Sequence, residues 1–65
     1  SRKYGESIIS FLTRVRMEKA AQLMRDESRK LEAIAFLVGY DDYHYFSRVF
    51  RKKMGVSPSE YRSRL

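Results

Sequence analysis

The short link between two helical patterns is the feature that most limits what this chain can fold into. Spacings of i, i+3, i+4 and i+7 give one apolar helix face, formed by Leu31, Ile34, Ala35 and Val38. Gly39 follows directly, and glycine ends a helix in the left-handed region without steric cost. Asp42 is an N-cap residue that starts the next helix. Because Ala35 is small, two helices can cross closely at this position. Residues 31–54 therefore have the spacing of a helix-turn-helix and are predicted to form one.

A last short helix is predicted at the C-terminus. Ser57 and Glu60 have the spacing of a capping box, and Pro58 stands at the first helical position. We therefore expect a helix over 58–65. Since no alternating strand pattern of useful length is present, the expected fold is all-α: a small helical bundle with a long connecting helix, a helix-turn-helix and a short C-terminal helix.

The first predicted helix spans 7–25, begins at the N-cap Ser7, and carries two apolar faces. The front half presents Ile8, Phe11, Leu12 and Val15. The back half presents Met17, Ala20, Leu23 and Met24, centred about 140° away. Two faces are typical of a helix that connects two packed units, of which only the second would be present here. The alternative is that a three-helix wrap covers both faces.

Several other side chains carry structural expectations. Ser28 is a candidate cap for the second helix. Phe36 projects away from the apolar face of that helix, and we expect it to pack under a neighbouring segment instead of contacting a missing domain or partner. Tyr40 and Tyr45 are expected to pack through their rings with a polar tip exposed.

Charge indicates the kind of partner. Lys and Arg number 14 against 8 Asp and Glu, a net charge of +6 on 65 residues. A basic, aromatic-containing small domain favours a polyanionic partner. With no Cys and one His, the chain offers no nucleophile-base pair and no set of metal ligands. We therefore predict no catalytic residues, no metal site and no cofactor, and interpret Asp41 and Asp42 as helix-capping residues.

The third predicted helix, 42–54, separates apolar from basic residues. Its apolar side consists of Phe46, Val49 and Phe50, and its opposite side consists of His44, Ser47, Arg48 and Arg51, bordered by Tyr43. An arginine can donate two hydrogen bonds to guanine O6 and N7. Lys52 and Lys53 follow in the sequence, at positions where the phosphates of a bound nucleic acid would pass. This pattern favours a recognition helix, although most amphipathic helices are ordinary surface helices.

The alternative function is a basic helical protein-interaction module or an anionic-membrane-surface module. The basic side of the third helix lacks the Trp or Leu rim that inserts into lipid, so no membrane partner is expected.

A long motif runs through the second half of the chain. It reads Ile34-Ala35-x-x-Val38-Gly39-Tyr40-x-Asp42-x-x-Tyr45-Phe46-Ser47-Arg48-x-Phe50-Arg51-Lys52, then Gly55-x-Ser57-Pro58-Ser59-Glu60-Tyr61-Arg62. The first helix adds Gly5-x-Ser7, Phe11-Leu12, Arg16-Met17, Ala20 and Leu23-Met24. Together these residues resemble the C-terminal DNA-binding domain of the AraC/XylS family of bacterial transcription regulators.

The resemblance implies a cytoplasmic regulator that binds double-stranded DNA. The family's domain holds two helix-turn-helix units joined by a long helix, so this chain would be the second half, with the first unit absent and residues 1–4 ending the earlier recognition helix. RNA polymerase and an upstream sensor or effector domain are further implied partners.

Residue roles follow by position. Base contacts are implied for Tyr43, His44, Ser47 and Arg48. Phosphate contacts are implied for Arg51 and Lys52, and expected for Arg29 and Lys30 at the start of the second helix.

Overall fold

Four helices make up the computed structural model, which describes residues 7–65. They are α1 (Ile8–Leu23), α2 (Leu31–Leu37), α3 (Tyr43–Met54) and α4 (Pro58–Ser63). Within that described stretch there is no strand, so the predicted all-α fold class is confirmed. Residues 1–4, which the resemblance assigns to the end of an earlier recognition helix, and Gly5, which belongs to the connecting-helix motif, lie outside the described residues.

Serine side chains cap two of these helices where the sequence predicts. The hydroxyl of Ser7 accepts a hydrogen bond from the amide of Ser10 at 3.1 Å, and the hydroxyl of Ser57 accepts one from the amide of Glu60 at 3.2 Å. Each cap satisfies an amide that has no partner inside its helix. Both serines are therefore confirmed as N-caps.

Ser28 is not a cap of α2, and that prediction is wrong. The N-cap position of α2 is Lys30, which makes no side-chain capping bond. Ser28 instead donates its hydroxyl and its amide to the carboxylate of Asp26, at 2.6 and 3.1 Å. A carboxylate two residues away forms a compact local turn, which occupies Ser28 before α2 begins. These hydrogen bonds lower the pKa of Asp26 below its usual value, and the bond from the Ser28 hydroxyl has the larger effect.

Helix ends fall slightly earlier than the sequence suggests. α1 ends at Leu23, two residues before the predicted end at Arg25. Beyond Leu23 the backbone hydrogen bonds tighten to i to i−3: the amide of Arg25 donates to the carbonyl of Gln22 at 3.2 Å, and the amide of Asp26 donates to the carbonyl of Leu23 at 3.1 Å. α4 likewise ends at Ser63, two residues before the end of the predicted range 58–65. Such tighter final turns are common at helix ends.

The core is built from three helices. Its buried hydrophobic residues are Met17, Ala20, Met24, Ile34, Ala35, Val38, Phe46 and Phe50. Leu31, Val49 and Tyr61 pack against this cluster while remaining partly exposed. The back half of α1 thus lies in the core, whereas the front half, represented by Ile8 at 68% exposure and Phe11 at 48%, does not. Only the back face of this helix is covered, so residues 7–65 do not form the three-helix wrap that would cover both faces.

Phe36 is 70% exposed, so the prediction that it packs under a neighbouring segment is wrong. Its position lies about 200° around α2 from Ile34, which is buried, so Phe36 faces away from the core. α3 packs on the same side as Ile34, and among residues 7–65 nothing covers the outer side of α2. Leu37 beside it is also exposed, at 56%. No helix in the described part of the chain is long and apolar enough to cross a membrane.

A row of aromatic rings joins the turn, α3 and α4. The ring centroids of Phe46 and Phe50 lie 5.8 Å apart, and Tyr61 of α4 meets Phe50 edge-on at 5.4 Å. Tyr40, just before α3, meets Phe46 edge-on at 5.6 Å. Edge-to-face pairs at these distances are favourable beyond the area that they bury.

We expect Phe46→Ala to cost about 3–5 kcal/mol of unfolding free energy, because it opens a cavity in the middle of the only core that residues 7–65 form. That is comparable to the whole stability of a domain of this size, so the variant should be largely unfolded at ambient temperature. Urea titration followed by circular dichroism measures the change.

Phe36→Ala is the matched control, since it removes the same side chain from an exposed position and should change stability by no more than about 0.5 kcal/mol. Equal losses in the two variants would contradict the assigned core.

Candidate nucleic-acid interface

The turn between α2 and α3 is fixed by its backbone. Gly39 adopts a φ of +105°, in the left-handed region that favours glycine. The amide of Tyr40 donates to the carbonyl of Ala35 at 2.9 Å, which closes the end of α2. A Cβ added to Gly39 would lie 3.4 Å from Cζ of Arg16. The guanidinium of Arg16 therefore rests against the turn from the side of α1.

Asp42 caps α3, as the sequence predicts. Its carboxylate Oδ1 accepts hydrogen bonds from the amides of His44 at 2.9 Å and Tyr45 at 3.4 Å. At the other end, Gly55 takes a φ of +88° and ends the helix, with Arg51, Lys52 and Lys53 in the last turn. A negative charge at the start and positive charges at the end both match the helix dipole.

One side of α3 lies in the core and the other faces solvent. Phe46 and Phe50 are fully buried, whereas His44 and Arg48 are exposed and Ser47 is half-buried. Arg51 and Lys52 are also exposed. Because α3 contains no acidic residue, its outer surface combines hydrogen-bond donors with positive charge. This combination suits phosphate oxygens and the acceptor atoms of bases.

Tyr43 lies closer to the core than the other candidate base-contacting residues. It is half-buried, and its ring centroid is 6.1 Å from that of Phe46 and 6.2 Å from that of His44. Burial raises the pKa of the Tyr43 hydroxyl above its usual value, and the nearby carboxylate of Glu32 adds to the effect. Tyr43 therefore stands at the border between the outer surface of α3 and the packed interior.

Tyr40 and Tyr45 pack on each other beside the turn. Their ring centroids are 5.8 Å apart, and Cζ of Arg16 lies 5.5 Å from the centroid of Tyr40. Tyr45 is nevertheless 53% exposed, more than a packing residue usually is. The column of Arg16, Tyr40 and Tyr45 joins α1 to α3. No sequence pattern indicates this contact, since the charge of Arg16 suggests an ordinary surface position.

The remaining predicted phosphate contacts lie away from α3. Arg29 and Lys30 are exposed on the loop before α2, where Nε of Arg29 is 3.5 Å from Oδ2 of Asp26. Lys53, expected beside Lys52, instead lines a cleft between α3 and α1 with Glu18 of that helix. The basic residues of α3 are therefore divided between its outer surface and its contact with α1.

Arg62 makes a set of contacts that sequence reasoning missed. Its guanidinium donates three hydrogen bonds to backbone carbonyls of the loop between α1 and α2: from Nε to Met24 at 3.2 Å, from Nη1 to Arg29 at 2.8 Å, and from Nη2 to Asp26 at 3.2 Å. An arginine in a short C-terminal helix carries no periodic signal that distinguishes it from a solvated one. The carbonyls it binds have no residue-specific sequence signature.

A family model described as a helix-turn-helix domain matches residues 1–64. The MmsAB operon regulatory protein of Pseudomonas aeruginosa is 41% identical over 61 residues, which cover 94% of this chain and 20% of that protein. The HTH-type transcriptional activator RhaR of Pectobacterium carotovorum is 43% identical over 60 residues, which cover 92% of this chain and 21% of that protein. RhaR of Mannheimia succiniciproducens is 43% identical over 58 residues, 89% of this chain and 21% of that protein.

The chain thus spans about a fifth of the length of the curated relatives it matches. No solved structure matches it significantly.

Asp42→Ala should destabilise the chain by about 1 kcal/mol, because it leaves two amides at the start of α3 without their acceptor. Thermal unfolding followed by circular dichroism measures the loss. Asp42→Asn is the matched variant, since asparagine keeps a capping oxygen while removing the charge, and it should cost only a few tenths of a kcal/mol. If both variants lose the same stability, the charge and not the cap is what matters.

Proposed function

The chain belongs to the AraC-type helix-turn-helix family, whose domains bind specific DNA sequences in transcription regulation, and we propose that α3 is the helix that reads the major groove of double-stranded DNA in this chain. The observation that supports this most directly is the rotation of α3. Phe46 and Phe50 are buried on one side, and Arg48 stands exposed on the other.

Base reading is proposed for the outer surface of α3. Arg48 lies about 160° around the helix from Phe46 and from Phe50, so it would extend furthest toward a groove. There its guanidinium can form a bidentate pair with guanine. His44 and Ser47 would contact neighbouring base edges through single hydrogen bonds. Tyr43, at the border of this surface, would reach a base only at the edge of the interface.

Phosphate contacts are proposed for two separate places. Arg51 and Lys52 would bind the backbone beside the groove that α3 enters. Arg29 and Lys30 would bind it from the loop before α2. Contacts at both places would fix the orientation of α3, because phosphate contacts set the register of a protein on the duplex while carrying no sequence information directly.

The chain is proposed to act as one part of a longer regulator. The front half of α1 leaves a set of apolar side chains exposed, namely Ile8, Phe11, Leu12 and Val15. We propose that a first helix-turn-helix unit, outside this chain, packs on them. An upstream sensor or effector domain and contact with RNA polymerase in the bacterial cytoplasm are part of the same proposal. Since the named RhaR relatives are transcriptional activators, activation is the proposed direction of regulation.

Arg48→Ala should weaken binding to the preferred site by about 1–3 kcal/mol and reduce discrimination against mismatched sites. The duplex that the wild-type chain selects from a randomised pool serves as the matched probe, and a duplex altered at single base pairs serves as the mismatched one. Fluorescence anisotropy titrations measure both affinities.

Lys52→Ala is the comparison variant, because losing a phosphate contact should weaken binding to both duplexes alike. If Arg48→Ala also loses affinity equally on both, Arg48 does not read bases.

Binding should depend steeply on salt. If about three to five phosphates are neutralised, the logarithm of the binding constant should fall against the logarithm of salt concentration with a slope of roughly −3 to −4.5. Titrations between low and physiological salt measure the slope. Phosphatidylserine vesicles, offered in parallel, test the membrane-surface alternative. A flat response with DNA, or stronger retention on vesicles than on duplex, would contradict the proposal.

A further inference from the structure

Arg62 connects parts of the chain that lie far apart in sequence. The three carbonyls that it binds belong to residues 33 to 38 positions earlier, and all three lie within the loop between α1 and α2. The contact with Met24 is partly buried, whereas the other two are exposed. A planar guanidinium presents its donors in a fixed fork, so three simultaneous acceptors define the position of the loop relative to α4.

The loop depends on this contact because its own ends are weakly capped. α1 has no basic residue in its last turn, so its C-terminal carbonyls lack a cation of their own helix. The Arg62 guanidinium supplies a positive charge at that end, where the dipole of α1 favours one. α2 begins at Leu31, and its N-cap residue, Lys30, makes no side-chain capping bond. The other polar contacts of the loop, such as that of Ser28 with Asp26, are local and do not fix its direction.

The loop that Arg62 binds leads directly into α2, the first helix of the helix-turn-helix, whose N-cap position is Lys30. The loop that Arg62 holds carries Arg29 and Lys30, the phosphate contacts proposed outside α3.

We propose that Arg62 is a positioning residue for DNA binding, which fixes the loop between α1 and α2 so that Arg29 and Lys30 meet the backbone of the same duplex that α3 enters. The inference rests on the function proposed above. Arg62 itself acts through the backbone carbonyls of Met24, Asp26 and Arg29. A lysine at this position keeps the charge and most of the stem but cannot direct three donors along the fork.

The test compares Arg62→Ala and Arg62→Lys with Arg64→Ala. Arg64 lies directly after α4 and pairs with Glu60 at 2.7 Å, so its removal takes the same charge from the same end of the chain without touching the loop. Affinity for the duplex selected by the wild-type chain is measured across a salt series. All titrations are run at a temperature where circular dichroism shows that the variant retains its full helix content.

Both Arg62 variants should lose about tenfold or more in affinity at physiological salt, and their salt slopes should become shallower by about 1–2. The shallower slope distinguishes positioning from general stabilisation, because a folded chain that keeps all its phosphate contacts keeps its slope. Arg64→Ala should keep nearly the wild-type slope. Should Arg62→Ala fail to fold, Arg62→Lys decides the outcome.

Amide hydrogen exchange without DNA gives an independent measurement. In Arg62→Lys, exchange should become faster in residues 24–30, while the amides of α3 keep their protection. Wild-type slope and affinity in Arg62→Lys, or equal losses in the Arg62 and Arg64 variants, would overturn the inference. If the wild-type chain selects no duplex at all, the proposed function fails instead, and loop exchange alone then decides whether Arg62 holds the loop.

Discussion

The burial of Phe46 and Phe50 is the contact on which the rest of the molecule depends. Both rings lie completely inside the core, one turn apart on α3, and they fix the rotation of that helix about its axis. Once the rotation is fixed, Arg48 must face solvent on the opposite side. In a chain of 65 residues, two buried aromatic rings are also a large share of the apolar area that opposes conformational entropy. Stability and the presentation of the basic surface thus arise from the same two side chains.

Polar contacts then set where α3 begins and how it stands relative to its neighbours. Gly39 allows the sharp change of direction after α2, and Asp42 satisfies the first amides of α3. Arg62 holds the loop before α2 from the other end of the chain. These contacts are few, but each fixes one degree of freedom that packing alone leaves open. A helix that enters a groove needs such constraints, because small misplacements cost hydrogen bonds to base edges.

The fold was largely predictable from periodicity and capping chemistry. The spacing of apolar residues placed the core on the correct sides of α2 and α3, and it separated the two faces of α1. The errors have a common origin. Burial of Phe36 is predicted from the general preference of large apolar groups, and capping by Ser28 from the general preference of serine. In both cases the neighbouring residues in the structure lead to a different outcome. No segment of residues 7–65 covers the outer side of α2, and Ser28 donates its hydroxyl to Asp26 instead of accepting an amide of α2.

The sequence by itself determined which residues form helices, where α3 starts and ends, and which of its side chains face out, because period and caps act within about four residues along the chain. Only the tertiary structure decided that Arg62 binds the loop after α1, that Arg16 rests on the turn at Gly39, and that Tyr43 stands at the border of the basic surface. Those contacts depend on how the helices meet. That geometry arises from packing between residues far apart in sequence, which no local pattern encodes.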